Sequence, residues 1–343
     1  MKKSAKNTNC DIKIVAKGID SLYLYLDCEG VIQWEFIQNE VHKYAYDESF
    51  KLRGLPFTRV RAWIKTFPTC IKHNQFMFFI NRKSAYIKVL SLGFELKGFE
   101  GITYLLCKVL DKLTFQRNMK WMDHLKISRI DTFIDFAFPG DFNFNQFRTR
   151  LRKKGIFKSG ANDEAITYYF GSRALLLVRL YTKSEEIKHS GKDYLKAHWK
   201  KFDCQDQKIW RLEFEFHKDK ILELCRFREL SNIDLNETKK LFAYGMNALE
   251  YVIETATNNN LNKKKLHPIW QALKAEFNTE YRVTKKQVKR ANINYRFKRA
   301  RKCVISWLVA QDLDYDEIER FYIEKFKIDR FDYEKALKKL RVD

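Results

Sequence analysis

The chain has 343 residues, enough for two ordinary domains or one large domain with an appendage. With 45% hydrophobic residues, including 28 Phe, 17 Tyr and 7 Trp, it can build a large core, which excludes global disorder; 12 Gly and 4 Pro exclude a fibrous or loop-rich chain. Sixty-six Lys and Arg against 43 Asp and Glu leave a formal net charge of +23, which points to a polyanionic partner, nucleic acid ahead of an anionic membrane surface.

Residues 1–12 read as a disordered basic arm, and no apolar run follows that would make a signal peptide. Ile19, Leu22, Leu24 and Leu26 then predict a strand within Lys13–Asp27. Glu35–Phe50 is helix-compatible, and Phe57–Lys65, Gln75–Ile80 and Ala85–Leu90 make a β-rich block. Phe99–Arg117 places Ile102, Leu106, Val109 and Leu113 on one helical stripe. After Ser128–Phe138, a strand, and a turn at Pro139-Gly140-Asp141, Asn143–Lys154 reads as a basic amphipathic helix with Phe144, Phe147 and Leu151 inward. Ala165–Phe170 and Leu175–Lys183 form a hairpin across Gly171-Ser172-Arg173. Ser184–Lys201 is a polar helix, Ile209–His217 a strand, and Lys218–Phe227 and Asn236–Thr257 are helices. The asparagine-rich 258–262 reads as a linker, followed by a helical, basic region over 263–343 that begins with Pro268–Phe277.

This order predicts an α+β fold with a central antiparallel sheet. The upstream domain covers 13–257, in two halves, 13–117 and 121–257, that read as diverged copies: GIDSLYLYLD echoes SRIDTFIDFAF. The seven cysteines, Cys10, Cys28, Cys70, Cys107, Cys204, Cys225 and Cys303, are scattered without a Cys-x-x-Cys, which fits reduced thiols in a cytoplasm. No apolar run approaches the ~20 residues of a spanning helix, so no membrane partner is expected.

Three strands carry unusual chemistry. In SRIDTFIDFAF, Arg129, Asp131, Phe133 and Asp135 fall on one side and Ile130, Thr132, Ile134 and Phe136 on the other. Asp is a poor strand residue, so two on one face call for a reason. WRLEFEFH puts Arg211, Glu213, Glu215 and His217 on one face; LLLVRLYTK puts Arg179, Tyr181 and Lys183 on one face. If these strands share an antiparallel sheet, one face is apolar and the other holds acids, bases and a tyrosine, suited to metal-assisted attack on a phosphate. The competing reading pairs the acids with Arg129, Arg179 and Arg211 to order a polar surface, and makes Tyr181 a packing residue.

The set SRIDTFIDFAF, TYYFGSR, VRLYTKSEE and WRLEFEF, in this order, resembles the replication initiation factor family: rolling-circle initiators of plasmids and filamentous phages, and relaxases of integrative conjugative elements. The resemblance covers roughly residues 15–255. It implies a Rep-type sheet with HUH-endonuclease-like nicking activity, although a His-hydrophobe-His triplet is absent from the sequence. By motif match Tyr181 is the nucleophile, assisted by Arg179 and Lys183, and Asp131, Asp135, Glu213 and Glu215 are the acids for Mg²⁺ or Mn²⁺. The implied partners are an origin hairpin or single-stranded origin site, with a host helicase and a homodimer compatible with the family.

Arg129 and Arg211 are candidate phosphate contacts, and Lys285, Lys286, Lys289, Arg290, Arg296, Lys298, Arg299 and Arg301 candidate duplex contacts on a segment compatible with a helix-turn-helix. A non-catalytic origin-binding regulator and, more weakly, an RNA-binding protein are the rival readings.

Overall fold

The computed structural model describes residues 12–276, apart from 28–31, 115–118, 160–164, 191–193, 205 and 254–259. Eleven strands form one antiparallel sheet: β1 (Lys13–Leu26), β2 (Ser49–Leu52), β3 (Leu55–Val60), β4 (Thr69–His73), β5 (Phe76–Ile80), β6 (Ala85–Val89), β7 (Lys126–Ala137), β9 (Lys154–Ser159), β10 (Ala165–Ser172), β11 (Leu176–Thr182) and β12 (Ile209–His217). A short β8 (Phe147–Thr149) pairs separately with β13 (Leu249–Tyr251).

The spatial order is β2-β3-β4-β5-β6-β1-β7-β12-β11-β10-β9. Each half follows one plan. Its first strand (β1 or β7) lies at the centre, its middle strands run from the edge inward, and its last (β6 or β12) pairs with its first. The two central strands pair with each other.

Period-two alternation gives this sheet an apolar face. Leu22, Leu24, Ile130, Ile134, Leu212 and Phe214 are fully buried. Helices α1 (Trp34–His42), α2 (Ser91–Thr114), α6 (Lys218–Cys225) and α7 (Leu235–Ala248) cover the apolar face, and a short α3 (Trp121–His124) leads into β7. Gly98, at φ 65°, breaks α2, which is why the helical stripe in the sequence starts only at Phe99. On α7 a Cβ at Gly245 would lie 2.4 Å from the Phe214 ring, so only glycine lets the helix approach this closely.

The opposite face is covered at one end only. Helices α4 (Lys183–Ser190) and α5 (Tyr194–Lys200) bury Ile187, Leu195 and Trp199 against Val15, Ala137 and Ile209. Elsewhere that face carries a polar group over the second half, with Asp131, Glu213 and Glu215 nearly buried, and an apolar cluster of Phe67, Cys70 and Phe79 over the first.

Several expectations need correction. Asn143–Lys154 is not a helix. It is a single turn at Phe144–Gln146, then β8, then β9. Phe142, Phe147, Tyr168 and Tyr251 cluster edge-on and tilted, and Arg148 pairs with Glu250 across to β13. That pairing also ends α7 at Ala248, short of the expected Thr257. Glu35–Phe50 is helical only to His42, and β2 and β4 were not foreseen.

Helix α8 (Pro268–Ala275) buries Ile269, Trp270 and Leu273, and the Trp270 indole donates to the Leu249 carbonyl at 2.8 Å. The asparagine-rich stretch therefore does not separate α8 from the upstream fold. Residues 285–302, with their basic side chains, lie outside the described residues.

Candidate active site

Register assembles the open polar face. Tyr181, Arg211 and Asp135 stand side by side on β11, β12 and β7; Arg179, Glu213 and Phe133 form the next row; Glu215 and Asp131 pair in the row after. The three motifs thus share one face.

Arg211 lies at the floor. Its Nε and Nη2 donate to Asp135 Oδ1 and Oδ2 at 2.6 and 2.8 Å, its Nη1 donates to Asp20, and its guanidinium stacks 3.9 Å from the Phe133 centroid. With its side chain 1% exposed, it has no open side for a DNA phosphate. Asp135 is bound bidentately to it and lies outside the close group of Asp20, Asp131 and Glu213.

Arg129 grips Asp131 at 2.8 and 2.6 Å and reaches Glu215 at 2.9 Å. Arg179 bonds Glu213 Oε1 and lies 3.6 Å from Glu215. His217 Nε2 lies 2.8 Å from Glu215 Oε1. The Tyr181 hydroxyl donates to Glu213 Oε2 at 3.1 Å.

One acid escaped the sequence reading. Asp20, Asp131 and Glu213 each offer a carboxylate oxygen within 4.8 Å of the other two. Asp20 is the extra residue of a β-bulge: Ile19 faces Thr132 and Ser21 faces Asp131, leaving Asp20 without a partner position. A bulge re-aims one side chain, here onto the polar face. The available signal was the GID/RID echo, which sets Asp20 against Asp131.

Five carboxylates (Asp20, Asp131, Asp135, Glu213, Glu215) face the guanidiniums of Arg129, Arg179 and Arg211, and Arg173 lies 3.7 Å from Glu215. Desolvation, reinforced by Glu213 and opposed by Arg129, pushes the Asp131 carboxyl up to about 8. For Glu215, burial also acts upward, but the His217 hydrogen bond and the Arg129 and Arg179 charges outweigh it and hold the acid low. Burial, then the Glu213 charge, holds the Tyr181 phenol well above its ordinary value, with Arg211 and Arg179 pulling the other way. The donor set of Asp20, Asp131 and Glu213 is all hard oxygen, gathered within 4.8 Å. These features fit Mg²⁺ or Mn²⁺.

Two clefts open on this face. One of about 390 Å³ is lined by Asp20, Tyr23, Lys88, Arg129, Asp131 and Arg179 among others. The other, about 380 Å³, is lined by Phe157, Thr167, Tyr169, Tyr181 and Glu186 among others, so the Tyr181 ring borders it while its hydroxyl reaches the acids.

Lys183 is not on the strand but is the first residue of α4; its ammonium bonds Glu186 and lies 5.5 Å from the Tyr181 ring. Of the neighbouring tyrosines, Tyr169 pairs with Arg179 and shares the polar face. Tyr168 points into the core, where its hydroxyl donates to the Phe142 carbonyl.

No family model matches the chain, and no curated protein matches it. Among solved structures it is similar to a rolling circle replication initiator protein from Geobacillus stearothermophilus, at 13% identity and a TM-score of 0.45, over 78% of this chain and 96% of that one.

Proposed function

We infer that this chain is a rolling-circle replication initiator or related relaxase that nicks one DNA strand through Tyr181. The observation that carries this reading is the Tyr181–Glu213 hydrogen bond beside a three-acid group on an open sheet face. Bound at Asp20, Asp131 and Glu213, a divalent cation would supply charge to polarise the scissile phosphate. Glu213 accepts the phenol proton as the Tyr181 oxygen forms its bond to phosphorus. The P–O3′ bond breaks, leaving a 5′-phosphotyrosine and a free 3′-OH that primes synthesis or later religates. Arg179, a quarter exposed and lining the first cleft, is positioned to meet a phosphate oxygen. Lys183 sits at the ring of Tyr181 rather than at its hydroxyl, which suits a supporting role. The shared plan of the two half-sheets is what an internal duplication would leave, with the chemistry retained mainly in the second copy.

The second reading, a DNA-binding regulator without catalysis, draws on the +23 charge alone. Supercoiled DNA carrying the element's origin, incubated with protein and Mn²⁺ and then boiled in SDS, separates the two. The nicking enzyme leaves protein-linked nicked circles that a Tyr181→Phe variant does not produce. Tight binding with no linked product supports the regulator.

A further inference from the structure

Beyond β1, the strands of the first half carry bases but no acids. From Ser49 to Phe94 there is no Asp or Glu, while nine Lys and Arg fall in that stretch. One row of the second half's polar face runs on across it, interrupted by Met77 and flanked on the same face by the buried Phe67, Cys70 and Phe79 cluster. Tyr23 pairs with Arg129, Lys88 with Tyr23, Met77 with Lys88, Lys72 with Met77, and Thr58 with Lys72. At about 4.8 Å per strand this row extends roughly 24 Å from β7.

Near the acids, cations and rings alternate along it. The Arg129 guanidinium lies 4.7 Å from the Tyr23 centroid, and Lys88 Nζ lies 5.3 Å from Tyr23 and 5.9 Å from Trp63. Trp63 stands edge-on to Phe79, with ring centroids 4.5 Å apart, and is 58% exposed. Held by Phe79 and beside Lys88, the indole still offers more than half of its surface for stacking. Among the described residues Lys65, Lys72 and Lys88 have no carboxylate partner.

We propose that this row, from Tyr23 and Lys88 to Trp63 and Lys72, is a track for single-stranded DNA, holding the nucleotides that flank the scissile phosphate. The occupant follows from three features. Unpaired cations demand a polyanion. The exposed Trp63 indole, with the half-buried Tyr23 ring nearer the acids, suits base faces, which a duplex keeps stacked inside. And the row begins in the cleft that contains Asp20, Asp131 and Arg179. The proposal rests on the nicking reading for its direction, but its binding chemistry is independent of cleavage.

The test uses the full chain in EDTA, so that no strand is cut, with a fluorescein-labelled oligothymidylate and a duplex of equal length, followed by anisotropy across a salt series. Trp63→Ala should weaken single-strand binding by roughly tenfold while Trp63→Phe largely preserves it, since a ring can still stack. Lys72→Ala, on an exposed side chain that supports no packing, should lower the single-strand salt slope by about 0.7. Duplex binding should change little in both. The inference is overturned if Trp63→Ala and Lys72→Ala bind the oligothymidylate like the parent protein, or if they weaken duplex equally. Equal weakening with an oligouridylate at higher parental affinity would make the occupant RNA and overturn it as well. If the parent protein nicks nothing yet these variants lose single-strand affinity, the track stands and the nicking reading fails.

Discussion

The Tyr181 hydroxyl and the Arg179 guanidinium divide one carboxylate between them: the phenol bonds Glu213 Oε2 at 3.1 Å and Arg179 bonds Oε1. The arginine fixes the orientation of the acid and leaves the other oxygen for the phenol proton. Because burial favours the protonated phenol, the attack proposed for its oxygen would need such an acceptor.

Tyr181→Phe should therefore abolish the protein–DNA adduct and change stability by only about 1 kcal/mol, the net value of one hydrogen bond. Tyr168→Phe should leave the adduct intact and cost a similar amount, because it orphans the buried Phe142 carbonyl. Tyr169→Phe is the informative control, since Tyr169 shares the polar face. Adduct that survives in the first variant and vanishes in the third would move the nucleophile one strand over.

Asp20→Asn should reduce cleavage by at least tenfold and raise the Mn²⁺ concentration needed for half-maximal nicking, with Glu213→Gln more severe because it also removes the proton acceptor. EDTA should stop the parent enzyme. If Asp20→Asn keeps the parental metal requirement, the bulge serves the sheet and not the site.

Asp135→Asn should behave differently. Asp135 is fully buried against Arg211, so its removal leaves a guanidinium without its main partner, at a cost of about 3 kcal/mol. Thermal melting should register that loss in EDTA and in Mn²⁺ alike, whereas a metal ligand would show it mostly when Mn²⁺ is present.

With the Asp131 carboxyl pushed up to about 8, first by desolvation, the folded state holds a proton that the unfolded chain releases near 4. Between those values the folded form binds more protons, so this group's contribution to stability is full below about 4 and is lost as pH rises to about 8. In EDTA the melting temperature should fall from pH 5 to 8 more steeply than in an Asp131→Asn variant. Mn²⁺ should flatten the curve by replacing the proton. Identical slopes for the two proteins would mean that Asp131 does not carry this proton.

A chain ended at Glu276 keeps α8 and so should fold. It should bind duplex DNA with a salt slope lower by about 0.9 for each phosphate that the basic 285–302 segment neutralises in the full chain. An unchanged slope would place the duplex-binding cations upstream of that segment.

The strands that build the site were readable because each completes several period-two repeats within about nine residues, and opposite faces differ sharply in polarity: Ile130 and Leu212 against Asp131 and Glu213. That alternation fixes which residues share a face, while the particular pairings, such as Glu213 with Arg179 and Phe133, come from the structure. The misread segments, 143–154 and the end of 236–257, have a common origin. β8 and β13 are three residues each and exist through pairing with one another about a hundred residues apart, and Phe147 and Tyr251 there follow helical as well as extended spacing. Asp20 was hidden because a bulge breaks the alternation that identifies a facing residue. Lys183 was misplaced by one position, although Thr182-Lys183-Ser184-Glu185 has the capping-box spacing of a helix that begins at Lys183.

The sheet order also sets when in biosynthesis the acidic group is complete. β1 is made before its partner β7, which begins at Lys126, and Glu213 arrives only with β12. A product terminated between β7 and β12 has Asp20 and Asp131 but neither Glu213 nor Arg211. Under the proposed function, fragments from interrupted translation are therefore unable to cut DNA, and that capacity comes only once most of the fold can close.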